Sequence, residues 1–167
     1  MKKLFLGIVS IFFMVGVNAQ TFGLKAGVDF ATAKAKFEGL TVSSDETGFY
    51  IGAFTDLNVS ESFDVRAEVN YVSIEDLDQI QIPVLANFGI AEGFGLLVGP
   101  SFGFLLDSEE GMKSFNFGVD FGLSYDITEN FLIEARYDLG LSNLAEDNEF
   151  DASLKLSGIQ VGIGYRF

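Results

Sequence analysis

The feature that most constrains this chain is a period-two alternation of apolar residues with glycine, polar and charged ones, held for about ten residues at a time and repeated eight times. In the first stretch Phe22, Leu24, Ala26, Val28 and Phe30 fall on one face, and Gly23, Lys25, Gly27 and Asp29 on the other. The third is the clearest: Phe63, Val65, Ala67, Val69 and Tyr71 against Asp64, Arg66, Glu68 and Asn70. Comparable stretches run from Phe49, Gln79, Phe94, Phe115, Phe131 and Ser157. A helix would scatter these sets around its axis, whereas a strand sends alternate side chains to opposite sides. An even number of strands joined in sequence can close on itself and lose its free edges. The expected fold is therefore all-β, an eight-stranded antiparallel up-and-down transmembrane barrel.

The connections alternate in length. Asn58–Ser62, Gly89–Gly93 and Asp126–Asn130 are tight and carry turn-forming residues. Ala31–Thr47, Ser73–Asp78, Asp107–Ser114 and Ser142–Ser153 are mostly longer and acidic, and are read as loops. Short turns on one side and long loops on the other mark an outer-membrane barrel with its short side, and hence both termini, in the periplasm. Pro83 and Pro100 fall inside strand stretches, and since proline has no N–H to give, bulges or missing ladder bonds are expected there.

Alternation alone does not say which face meets solvent, because a soluble ligand-binding barrel keeps its apolar face inside. Three features favour the inverted arrangement. The non-apolar face is rich in glycine, which leaves room in a narrow lumen for long side chains. Its mid-strand charges come in both signs, as buried charges require: Lys25, Arg66, Arg136 and Arg166 with Asp29, Glu68, Asp120 and Glu134. The apolar face has aromatics at both ends: Phe22, Phe63, Phe88, Phe94, Tyr125, Phe131, Tyr165 and Phe167 at one, Phe30, Phe49, Tyr71, Phe104 and Phe115 at the other.

Met1, Lys2 and Lys3, an apolar run from Leu4 to Val17, and the small Ala19 have the layout of a secretory signal peptide. The run is short of the roughly 20 residues a membrane-spanning helix needs. Cleavage before Gln20 leaves residues 20–167 as one outer-membrane β-barrel domain, and loss of two lysines takes the formal charge from −14 to −16. That acidity excludes nucleic acid as a partner, since phosphates would be repelled. The expected surroundings are outer-membrane lipid and other envelope proteins.

Several segments in this order resemble the PorT-like outer-membrane β-barrel domain proteins common in Bacteroidetes. They are Gly23-Leu24-Lys25-Ala26-Gly27-Val28, Gly52-Ala53-Phe54, Ile82-Pro83, Gly99-Pro100, Tyr137-Asp138-Leu139-Gly140-Leu141-Ser142-Asn143-Leu144 and Gly162-Ile163-Gly164-Tyr165-Arg166-Phe167. The resemblance spans Thr21 to Phe167 and implies an integral outer-membrane barrel; some members are tied to protein secretion machinery. The segment between the third and fourth strands is shorter here than in many relatives.

Catalytic chemistry is poorly supplied. The chain has no histidine and no cysteine, so the usual arrangements that activate a nucleophile cannot be built. The acidic runs Asp107, Glu109 and Glu110, and Glu146, Asp147, Asn148, Glu149 and Asp151, offer oxygen ligands but lack the spacing of a calcium loop, so no metal or cofactor is expected. The candidate site is a structural charge cluster in the lumen: Lys25, Arg66, Glu68, Asp120, Glu134 and Arg136. A salt-bridged plug is its plain reading, a proton or ion relay its sharper one. The expected function is a non-enzymatic structural element or interaction platform acting through acidic outer loops. The alternatives are a narrow, porin-like pore or small-ligand conduit, or a component of a secretion assembly.

Overall fold

The computed structural model describes residues 20–37, 40–75, 77–106, 112–145 and 153–167. The expected signal peptide, residues 1–19, and the acidic runs at 107–110 and 146–151 lie outside the described residues. Eight strands account for most of the rest: β1 (Gln20–Phe37), β2 (Leu40–Ser60), β3 (Phe63–Ile74), β4 (Leu77–Ala91), β5 (Phe94–Leu105), β6 (Phe115–Asp126), β7 (Phe131–Gly140) and β8 (Ser153–Arg166). Each pairs antiparallel with its sequence neighbour, and β1 pairs with β8. The all-β, closed, up-and-down barrel read from the periodicity is the fold observed.

The stagger of this barrel can be followed residue by residue. From Gln20 the ladder leads to Leu57, Val65, Ala86, Val98, Phe121, Tyr137 and Ile159, and returns to β1 at Phe30, ten residues further along. A stagger of that size goes with strands steeply tilted to the axis, and with eight strands the interior is just wide enough for side chains to fill. The parity of each strand is as expected. Phe22, Leu24, Val69, Phe121, Ile133 and Val161 point outward and are exposed, while Lys25, Arg66, Glu68, Leu97 and Arg136 point inward and are buried.

The prolines produce no bulge. The β3–β4 ladder is interrupted between Ala67–Val84 and Asn70–Gln81, and the β4–β5 ladder between Pro83–Ser101 and Ala86–Val98, with the register the same on either side of each gap. A missing N–H removes pairs locally without inserting a residue, so the gap is the form the defect takes. The two register shifts fall elsewhere, at Asn58/Ser60 and Gly89/Ala91, beside the short turns. Those turns are tighter than expected, because β2 runs on to Ser60 and β4 to Ala91. Gly93 ends the second at φ 75°, a conformation that glycine adopts without a steric penalty.

The larger correction concerns Ala31–Thr47. These residues do not form a loop. β1 continues to Phe37 and β2 begins at Leu40, and they pair without a break from Gln20–Leu57 to Phe37–Leu40. β8 follows β1 upward as far as Ser153–Lys36, whereas pairing of β2 with β3 begins only at Phe49–Ser73. A three-stranded sheet, β8-β1-β2, therefore projects past the rest of the barrel. Its facing is reversed: Thr32, Lys34, Lys36, Ser43, Asp45 and Lys155 share the outward parity, while Ala31, Ala33, Leu154 and Leu156 line the inner side. Thr32 donates to Asp45 across the outer face (2.7 Å).

On the barrel proper the two aromatic belts are packed in pairs. Phe63 stacks on Phe88 (4.9 Å between centroids), Phe94 lies against Tyr125 (4.5 Å) and Phe131 against Tyr165 (4.9 Å) at the short-turn end. Phe104 meets Phe115 (5.4 Å) and Phe49 meets Tyr71 (6.5 Å) at the other. These cross-strand ring pairs fix register as well as burying area.

Candidate functional site

The lumen is filled, and glycine is what lets it fill. Tyr50 and Phe54, both inward on β2, lie over glycines of the adjoining strands β1 and β8. An added Cβ at Gly27 or Gly162 would strike the Tyr50 ring or hydroxyl, and one at Gly23 would strike the Phe54 ring. Gly122 makes the same room for Arg136, and Gly52 for Asn70. Large inward side chains thus stand opposite backbone, and Tyr50, Phe54, Leu85, Leu97 and Leu132 are at most 3% exposed. The two aromatics also cover charge: the Lys25 ammonium lies 5.3 Å from the Tyr50 ring centroid and the Arg66 guanidinium 4.5 Å from that of Phe54.

The six residues singled out from the sequence come together at mid-height. The Lys25 ammonium, on β1, donates to Glu68 on β3 (2.7 Å) and to Glu134 on β7. Arg66 donates to Glu134 (3.3 Å), and Arg136 donates to Glu68 (2.9 Å). Asp120, on β6, lies 3.8 Å from Arg136, an ion pair without a hydrogen bond. Strand parity sends all six inward, and the stagger brings residues from four strands to one level. Glu68 is shared between Lys25 and Arg136, Glu134 among Lys25, Arg66 and Arg136, and Asp120 faces Arg136 alone, an arrangement that answers the cost of taking charge out of water.

Further participants were not singled out. Asp56 accepts a bidentate pair of bonds from Arg66 (2.6 and 2.9 Å), and their positions are directly opposed on β2 and β3. Gln160 accepts from Arg136 (3.0 Å) and donates to Asp29 and Gln81 (3.0 Å each). Gln81 in turn donates to Asp138 (2.5 Å). Asp56 was open to discovery, since it shares the inward parity and the tight turn after β2 sets it against Arg66. The glutamines carry no charge to draw attention. At the short-turn end Arg166 closes the column on Asp126 (2.8 Å) and Asp56 (3.4 Å). A chain of polar contacts therefore runs from Asp126 to Asp138 through the length of the barrel.

Above this chain, where the projecting sheet begins, is a cavity of about 290 Å³. Its floor is polar, with Asp29, Gln79, Asn116 and Asp138, and its walls are mostly aliphatic. Among the described residues, no group of three acidic, histidine or cysteine side chains converges as a metal ion would require.

This combination of a charged, side-chain-filled interior, an apolar exterior and a closed ladder is what the comparisons with known proteins can be set against. Residues 76–146 match the family described as outer membrane protein beta-barrel domain. The match covers β4 to β7 and the segment beyond. No curated protein matches the chain. Among solved structures, one from the de novo design of transmembrane beta-barrels is 14% identical, with 88% of this chain and 95% of that one covered and a TM-score of 0.57. Ail, the attachment invasion locus protein of Yersinia pestis, is 21% identical over 89% of this chain and 99% of its own, with a TM-score of 0.54. Ail in complex with the heparin analogue sucrose octasulfate aligns with 18% identity, 89% and 99% coverage and a TM-score of 0.53. At these identities the likeness is one of fold, the closed eight-stranded antiparallel barrel.

Proposed function

We propose that the mature chain is an integral outer-membrane barrel with a sealed lumen, and that its work is done by the sheet projecting beyond the bilayer. The membrane reading is supported by the outward face, where Phe22, Leu24, Ile51, Val69, Phe121 and Ile163 each expose 47% or more of their surface. Apolar surface encircling a whole molecule is foreign to a soluble monomer. With the short turns in the periplasm, Gln20 and Phe167 lie on that side and the β1–β2 hairpin lies outside the cell.

One observation carries the platform reading: residues Leu40–Thr47 of β2 pair only with β1, so their other edge is free among the described residues. Proteins normally blunt such an edge, and an exposed one is a template for adding a partner's strand through main-chain hydrogen bonds. The outer platform expected in acidic loops thus becomes, in this reading, an ordered edge. No enzymatic role is assigned, and the PorT-like resemblance rests on the segments that carry it. The charge cluster acts as a structural plug, since every carboxylate in it is within reach of a cation and aromatic rings close over it.

Photo-crosslinking from Ser43, on the free edge, against Lys34, on the paired strand, tests the platform in intact cells. Capture of an envelope or extracellular protein from Ser43, abolished by Thr41→Pro on the same edge, is the expected result. Equal capture from both positions would remove the edge from the argument. Reconstituted in a planar bilayer, the protein should carry no steady current; a stable unitary conductance would move it to the pore class.

A further inference from the structure

We infer that the cavity at the outer mouth of the barrel is a binding site for a small organic ammonium, a primary amine on an aliphatic stem. It is independent of what the projecting edge recruits. The floor carries three buried acceptors, Oδ1 of Asp29, Oε1 of Gln79 and Oδ1 of Asp138, that accept no hydrogen bond among the described residues. Asp29 and Gln79 are each only 4% exposed, so these are buried acceptors lining a cavity and not surface groups turned to solvent. Leaving such atoms unmet is costly, and native structures rarely do so without a ligand, an ion or water.

The second oxygen of each carboxylate is already committed. Gln160 donates to Oδ2 of Asp29 and Gln81 to Oδ2 of Asp138, which orients the free oxygens and forbids either carboxylate from turning away. No counter-charge is built in. Neither aspartate makes an ion pair among the described residues, and the nearest guanidinium, Arg136, is directed at Glu68, Gln160 and Asp120. Among the described residues no lysine or arginine lines the cavity, while Glu46 and Glu75 add further negative charge to its lining. A cation is the missing complement.

Its kind is set by the walls. Leu77, Leu154 and Leu156 enclose the space above the floor, so a bare, strongly hydrated metal ion would leave them facing nothing. Two carboxylates and an amide also fall short of the oxygen shell that calcium takes. A primary ammonium supplies N–H donors to these acceptors and a charge opposite to that of the carboxylates, and an alkyl stem covers the leucines. The volume of about 290 Å³ sets the limit at a small molecule.

The test uses the mature protein in lipid nanodiscs, titrated by NMR with n-hexylammonium, hexanol, hexanoate and calcium. Saturable binding of n-hexylammonium is expected, at least about tenfold tighter than hexanol, with no response to hexanoate; loss of one charge-assisted hydrogen bond is worth about that factor. Asp29→Asn and Asp138→Asn should each weaken it by about tenfold or more. Leu77→Lys, which supplies an ammonium from the wall, should abolish binding, and this variant carries the test if the asparagine variants do not fold. Equal affinity for hexanol would reduce the site to an apolar pocket. Calcium binding that excludes n-hexylammonium would make it a metal site. Undiminished binding by Leu77→Lys would place the amine elsewhere. Any of the three overturns the assignment.

Discussion

Strands β8, β1 and β2 obey opposite rules along their length. Below Phe30, Phe49 and Ile159 their outward residues are mostly apolar and their inward ones are charged groups, glycines, Gln160 and the two lumen aromatics Tyr50 and Phe54; above that level the outward residues are Thr32, Lys34, Asp45 and Lys155, and Ala31, Ala33, Leu154 and Leu156 turn in beside Ser44 and Glu46 of β2. The ladder between β1 and β2 continues across this boundary without a change of register. Backbone geometry therefore does not distinguish the two regions, and what differs is the medium each face meets. In the bilayer reading, the level at which the pattern inverts is where hydrocarbon gives way to water.

The comparison can be broken most severely from the inside. Arg66 sits between Asp56 and Glu134 with no exposed surface. Arg66→Gln takes from Asp56 its bidentate partner and from Glu134 one of its three cations, and should cost roughly 3–5 kcal/mol in urea unfolding from lipid vesicles. Adding Asp56→Asn should restore part of the loss, giving a double-mutant cycle with clear coupling. Strictly additive losses would mean the bidentate pair does not exist in the folded protein.

The outer faces should differ next. Val69→Arg puts a charge on the belt and should cost on the order of 2–4 kcal/mol. Ser43→Arg, with the same parity on the projecting part of β2, should stay within about 0.5 kcal/mol. Similar costs at both positions would erase the boundary between the two regions and revive a soluble barrel.

Glycines sharpen the contrast between packed and open backbone. Gly162→Ala drives a Cβ into the Tyr50 hydroxyl and should cost about 1–3 kcal/mol, eased in a Tyr50→Phe background. At Gly89, where the nearest atoms to an added Cβ are 3.8 Å away, alanine should change stability by less than about 0.5 kcal/mol. The smallest effect is local: amides on the free edge of β2 at Leu40–Thr47 should exchange with deuterium well before those of Gly52–Asp56, and protection there in purified protein would show the edge already covered.

The barrel was legible because a period of two survives without any knowledge of partners: Phe63 to Tyr71 declares both its conformation and its two faces. The same rule failed at Ala31–Thr47. There the apolar positions are small alanines, the inversion of facing breaks the pattern set by Phe22–Phe30, and serines and threonines suggest a loop. For the site, parity gave the six inward charges but not their pairing. Which carboxylate meets which cation depends on the stagger between strands, a long-range quantity that no single strand encodes. The pairing of Asp138 with Gln81, which lie on different sides of the lumen, was hidden for that reason, whereas Asp56, set against Arg66 by the tight turn after β2, was within reach of the sequence.

The seam between β1 and β8 has a consequence for how the molecule is made. The β1–β2 hairpin joins residues close in sequence and can zip from Phe37–Leu40 downward, but Gly23 finds Arg166 only after the whole chain has been emitted and seven strands ordered. Contacts so distant along the chain carry the largest loop-closure penalty and come late. Until then β1 and β8 each present an unsatisfied edge along their full length, and Lys25 on β1 waits for Glu134 on β7. The ion cluster thus completes at closure, acting as a latch that makes the final step of assembly hard to reverse.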